Sequence, residues 1–319
     1  SRHAVTTLPM VLLTELGDLF QRRDLTLHIS TTTALLGSTF VAGSFVGLLH
    51  LWRLFGVQDE DRDDPGTIKR RFASATLSCF CSGYFIIALC EPAAPGERGL
   101  SVMQLLGFQL EGFLAACSAC LSLTALLFAG PLLQQLLSSR HRRGKSSKLS
   151  KEETSRETWV KLRNYVLAPV AEEVAFRACL CRLWLGADLS PKLIIFCAPC
   201  WFSLAHAHHY LEHVRRHGDT AGALLQVLFQ VFYTSLFGAF VTFLLLRTGS
   251  TIVVTFVHTF CNHMGFPDLS WMTWQRHSLY PQRAYIAVVY IVGVIAFAFL
   301  LAPLTEGFAS PFKSVPASG

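Results

Sequence analysis

The chain has 319 residues, of which 52% are hydrophobic and only 15% charged, and its mean hydropathy is +0.42. Soluble domains carry about 25% charged residues, so the composition excludes an ordinary water-soluble globule, and several apolar stretches are long enough to cross a bilayer. The net charge is +6, but the basic residues are clustered, so their placement matters more than their sum, and no nucleic-acid partner is indicated.

In chain order, residues 1–30 mix Val11, Leu12, Leu13, Leu16, Leu19 and Phe20 with Glu15, Asp18 and the pair Arg22–Arg23. That pattern suits an interfacial amphipathic segment better than a span. A spanning helix needs roughly 20 apolar residues. Eight candidates follow, over about 31–55, 72–90, 110–134, 164–185, 191–206, 221–246, 250–266 and 284–303. The fifth and seventh are short and carry polar residues. Segment 134–163 is rich in Ser, Lys and Arg and reads as a mobile, solvated connection near anionic lipid. The expected architecture is an all-α integral membrane protein. It has an N-terminal segment (1–30), a polytopic domain of about eight transmembrane helices around a cytosol-facing polar cavity (31–305), and a C-terminal tail (306–319).

The ten cysteines fall mostly inside apolar runs, where free Cys behaves as a small hydrophobe. Cys117-x-x-Cys120 and Cys197-x-x-Cys200 have metal-like spacing, but apolar flanks without acidic or His neighbours argue against zinc. Lys and Arg report orientation. Connections after odd-numbered spans carry seventeen of them, whereas those after even-numbered spans carry three, Arg98, Lys192 and Arg247. The odd connections are therefore expected in the cytosol.

Ionisable groups inside spans are costly and ask for a reason. In the fourth span, Glu173 and Arg177 are spaced i, i+4 and can pair on one face. Glu172 points about 100° away and is left without that partner. A carboxylate in this situation suits a general base. His206 closes the fifth span, followed by His208 and His209. In the seventh, His258 and Asn262 share a face and can both donate to one point. By the orientation above, Glu172, His206, His258 and Asn262 all fall in the cytosolic half of the bilayer, as a shared water-containing cavity would require. Glu172 with His206 can activate a water, while His258 and Asn262 can stabilise an oxyanion. Purely structural readings compete: an ion-pair cluster between helices, and interhelical hydrogen bonds. A zinc hydrolase using Glu172, His206 and His258 is an alternative, weakened because no His-Glu-x-x-His occurs. A transporter or a scaffold for lipidated tails is another, weakened by the lack of a visible inverted repeat.

The three motifs Glu172-Glu173…Arg177, Phe202…His206 and His258…Asn262 resemble, in order and without departure, those of the CAAX protease and bacteriocin-processing family of intramembrane endopeptidases. Further stretches are similar to its eukaryotic type II CAAX prenyl endopeptidases: Ile68–Phe72, Leu106–Gly112, Phe229–Thr234, Phe237–Ala239 and Arg247–Gly249. The likeness runs over about 40–305. It implies eight spans in the endoplasmic reticulum membrane with the site open to the cytosol. It also implies removal of the last three residues from prenylated CAAX proteins such as Ras-type GTPases, by a glutamate-activated water with no cofactor or obligatory metal.

Overall fold

The computed structural model describes residues 24–57, 61–141, 150–205, 220–308 and 310–312, and it is helical nearly throughout. The interfacial reading of 1–30 falls mostly outside the described residues. From Asp24 the chain is extended; Leu25–Thr26 pairs antiparallel with Glu91–Pro92, and Leu25 and Leu27 are buried.

Helix starts follow the caps written in the sequence. Helix α1 (Thr31–Leu49) begins at Ser30, whose hydroxyl accepts from the Thr33 amide. Helix α2 (Pro65–Ala88) begins at Asp64, whose carboxylate accepts from the Thr67 amide, with Pro65 in the first turn where its missing N–H is not needed. The short α3 (Val102–Leu105) is closed by a Ser101–Gln104 capping box.

The expected span over 110–134 is instead two helices, α4 (Phe113–Leu127) and α5 (Ala129–His141), meeting at an angle of 72°. Pro131 has no N–H to give the Leu127 carbonyl four residues back. Beside it, Gly130 leaves room for the Tyr290 ring, which stands where a Cβ would lie.

The basic connection differs more. Helix α6 (Lys151–Leu162) opens on a Ser150–Glu153 capping box. It continues without a break through a π turn (Arg163–Leu167), α7 (Ala168–Glu173), a second π turn (Val174–Leu180) and α8 (Cys181–Gly186). The later half of the segment read as a mobile connection is thus the beginning of the fourth span's own helix. Arg156–Asp61 at 2.7 Å and Arg163–Asp63 at 2.8 Å tie it to the start of α2. Exposed pairs contribute about 0–1 kcal/mol each, so they set position more than stability. Arg163 also holds the Asp63 carboxyl below its usual titration range.

The remaining helices are α9 (Pro191–Ala205), α10 (Thr220–Thr248), α11 (Thr251–Met264), α12 (Ser270–Thr273) and α13 (Arg283–Thr305). Helices α1, α2, α9 and α11 pack around the 151–186 rod, α10 lies on α9, and α13 lies on α4 and α5. The core is centred on the rod, where Ala175, Leu180 and Leu183 meet neighbours such as Ala34, Val254 and Val257, all fully buried. Past α13 the chain returns to the core: Phe312 is buried beneath the Arg182 guanidinium, 5.6 Å from the ring centre.

Four helices are long and apolar enough to cross a membrane, within Thr31–Leu49, Pro65–Ala88, Thr220–Thr248 and Tyr280–Thr305, or five if α4 and α5 form one bent span. Their outward faces carry Leu36, Phe80, Leu225 and Phe299, the last 77% exposed. Such a contiguous apolar exterior is stable only against lipid, so the chain is a multi-pass membrane protein. Helices α9 and α11 have 15 and 14 residues, or roughly 22 Å.

Candidate active site

The site is built on a defect in the rod. Pro169 offers no N–H to the Tyr165 carbonyl, its α-helical partner. The Ala168 N–H bonds to Arg163, five residues back, so the Asn164 carbonyl also loses its α-helical donor. Helix α11 supplies both substitutes: the Thr259 hydroxyl donates to the Tyr165 carbonyl at 2.8 Å, and the Asn262 amide to the Asn164 carbonyl at 3.0 Å. A proline in one helix is thus answered by two polar side chains, one turn apart, in another.

One turn further along, Glu173 and Arg177 face each other across the second π turn, with Arg177 Nε 3.3 Å from Glu173 Oε2 and both side chains buried. An unpaired buried charge would cost several kcal/mol. The guanidinium is further sheltered by aromatic faces, its Cζ standing 4.7 Å from the Phe202 ring centre and 5.8 Å from that of Phe237. Phe202 comes from α9 and Phe237 from α10. These helices approach because Gly238 has no Cβ; one there would meet the Pro199 ring.

His258 of α11 completes the cluster. Its Nδ1–H donates to Glu173 Oε1 at 2.7 Å, and its ring packs edge-on against Phe237 with centroids 4.7 Å apart. This leaves Nε2 turned toward Glu172, 3.7 Å from Oε2. With Nδ1 committed to Glu173, Nε2 offers a lone pair in the neutral ring and a donor in the imidazolium.

Glu172 is the carboxylate that the Glu173–Arg177 pair leaves over. Its side chain is 21% exposed, into a cavity of about 330 Å³ whose walls include Asn164, Gln230, Tyr233, Thr234, His258 and Asn262. On the other side of α7 lies a groove of about 450 Å³, lined by apolar groups such as Phe72, Phe80, Ile87, Val170 and Val174. The helix that carries Glu172 therefore separates a polar cavity from an apolar one.

The structure brings Glu172, Glu173, Arg177, His258 and Asn262 together. His206 lies outside the described residues; Ala205, its neighbour, lines the cavity. His258 and Asn262 share a face as expected, but each already has a partner on the rod. Among the described residues no three His, Cys, Asp or Glu side chains are gathered as a metal would require. Sequence reasoning missed Thr259, Phe237, the Asn164 carbonyl, and three arginines lining the cavity, Arg62, Arg71 and Arg163. The available signal for Thr259 was Pro169, a helix-interior proline whose stranded carbonyl needs a donor from elsewhere.

The family described as "Type II CAAX prenyl endopeptidase Rce1-like" matches residues 154–264, the stretch from α6 through α11. CAAX prenyl protease 2 of Homo sapiens is 35% identical over 278 residues, covering 83% of this chain and 79% of that protein. CAAX prenyl protease 2 of Caenorhabditis elegans is 30% identical, covering 81% and 92%, and that of Saccharomyces cerevisiae 26%, covering 73% and 81%. No solved structure matches the chain.

Proposed function

This chain belongs to the type II CAAX prenyl endopeptidase family, and on that premise we propose that it is a CAAX endopeptidase that removes the last three residues of prenylated CAAX proteins within the endoplasmic reticulum membrane. The observation that carries the chemistry is the division of labour between adjacent carboxylates. Glu173 is consumed by Arg177 and His258, whereas Glu172 faces the cavity and, among the described residues, has His258 Nε2 as its one ion-pair partner, at 3.7 Å. In the proposed reaction a water gives its proton to Glu172, assisted by His206, as its oxygen attacks the scissile carbonyl. His258, as the imidazolium with Nδ1–H on Glu173, donates through Nε2–H, and this group and the second amide hydrogen of Asn262 stabilise the oxyanion. Collapse breaks the C–N bond, and the proton returns to the leaving amine. Glu173 and Arg177 support this by fixing the His258 ring.

The two cavities flanking α7 suit a substrate that is lipid at one end and peptide at the other. A prenyl chain gains about 0.8 kcal/mol per buried CH₂, and the apolar groove offers it a place beside the helix that carries Glu172. The concentration of Lys and Arg in the odd connections supports a cytosolic opening. The short α9 and α11, with the rod, supply the further crossings of an eight-span arrangement.

The test is the purified full-length chain with a prenylated fluorogenic peptide, its products identified by mass. Release of the C-terminal tripeptide, lost in Glu172→Gln, is expected. Failure to release it, or release unaffected by Glu172→Gln, overturns the reading.

A further inference from the structure

The polar cavity is electrically lopsided. Glu172 is the only carboxylate among the described residues that line it, whereas Arg62, Arg71 and Arg163 line it too. Arg163 is held rigidly: Nε donates to Asn164 Oδ1 at 2.9 Å, and Nη1 donates to the Arg62 carbonyl at 2.7 Å and to Asp63 at 2.8 Å. Its Nη2 has no partner among the described residues. The Arg62 guanidinium makes no hydrogen bond among the described residues, although its charge acts on Asp63 and its backbone helps to fix Arg163. An anchored guanidinium with an unused N–H, as at Arg163, is suited to a carboxylate, and the exposed Arg62 adds a second positive charge to the same cavity.

The rod sets the backbone spacing between Arg163 and the base. Arg163 precedes Glu172 by nine residues on one continuous helical rod, which is about 13 Å of rise. Three extended residues span roughly 10 Å. A peptide whose scissile carbonyl stands at Glu172 and which runs back along the rod therefore brings its C-terminus to Arg163 and Arg62. Resting on the endopeptidase reading above, we propose that Arg62 and Arg163 form a clamp for the free α-carboxylate of the substrate. The clamp measures the three-residue tail and makes a chain terminus, rather than an internal segment, the preferred ligand. The competing occupant of a basic rim is the phosphate of an anionic lipid. Arg163 favours the peptide, because its side chain is only 18% exposed and is anchored in the cavity wall by Asn164, Asp63 and the Arg62 carbonyl.

The experiment uses the full-length chain in neutral nanodiscs with two matched prenylated peptides, one ending in a free carboxylate and one in a carboxamide. A charge-assisted hydrogen bond predicts an acid-over-amide preference in kcat/KM on the order of 10-fold or more, expressed mainly in KM. Arg62→Gln and Arg163→Gln should each bring that ratio toward one. Arg62→Gln is the safeguard, because among the described residues it breaks no side-chain hydrogen bond. Equal cleavage of acid and amide by the wild-type chain overturns the clamp and leaves the endopeptidase reading standing. So do variants that lose activity on both peptides equally. An unchanged ratio with weakened binding to phosphatidylserine vesicles overturns it in favour of lipid. No cleavage of either peptide by the wild-type chain overturns the underlying reading and the clamp with it.

Discussion

Asn262 and Thr259 form a natural controlled experiment. Both reach from α11 to a carbonyl that Pro169 and the π turn have stripped of its helical donor, at 3.0 and 2.8 Å. Only Asn262 also lines the polar cavity. Removing either donor leaves a partly exposed carbonyl, which costs about 1 kcal/mol of a stability on the order of 5–15 kcal/mol. Both Thr259→Val and Asn262→Ala should therefore remain folded, with similar small losses of thermal stability. Their catalytic rates should part. Loss of an oxyanion donor lowers kcat by roughly 10²–10³-fold, equivalent to about 2.7–4 kcal/mol, and leaves KM nearly unchanged because the donor acts mainly in the transition state. Thr259→Val should cleave at close to the normal rate per folded molecule. Single-turnover cleavage and thermal unfolding, measured on the same preparations, separate the two effects. If Asn262→Ala is as active per folded molecule as Thr259→Val, Asn262 is a helix clamp and nothing more.

Glu172→Ala should abolish cleavage while melting close to the wild type, since Glu172 takes no part in the buried Glu173–Arg177 pair; near-normal turnover by the folded variant would end the glutamate-base mechanism. His206→Ala is expected to match it in a tripeptide-release assay, and retained activity would remove His206 from the reaction. Glu173→Ala leaves Arg177 and His258 buried without their carboxylate, a loss of about 3–5 kcal/mol that should appear as reduced yield of folded protein in size-exclusion profiles. A normal melting curve would show that the cluster is not what holds the helices together. Prolonged chelation should spare activity, and loss with recovery on added zinc would favour the metalloprotease alternative. A Ser146→Cys probe in intact microsomes should react with an impermeant reagent; protection would reverse the orientation.

Much of the membrane architecture was legible locally, because lipid imposes it locally. A helix that faces lipid must be apolar along its length, and 221–246 and 284–303 announce themselves as Thr220–Thr248 and Arg283–Thr305. The Glu173–Arg177 pairing and the leftover Glu172 follow from helical spacing alone, which fixes which side chains share a face. Three things were decided only by packing. The 110–134 stretch is broken at Pro131, and its second arm lies where the Tyr290 ring packs onto Gly130. The helix that the basic connection forms is placed against the start of α2, where Asp61 and Asp63, about a hundred residues away in sequence, meet Arg156 and Arg163. And His258 binds Glu173 across 85 residues of chain, so the histidine predicted to face the substrate is also the second support of the buried carboxylate. Local periodicity says which way a side chain leaves its own helix. Which buried charge or stranded carbonyl it meets depends on the rotation and depth of a second helix, and these are set by the packing of every other residue along the contact.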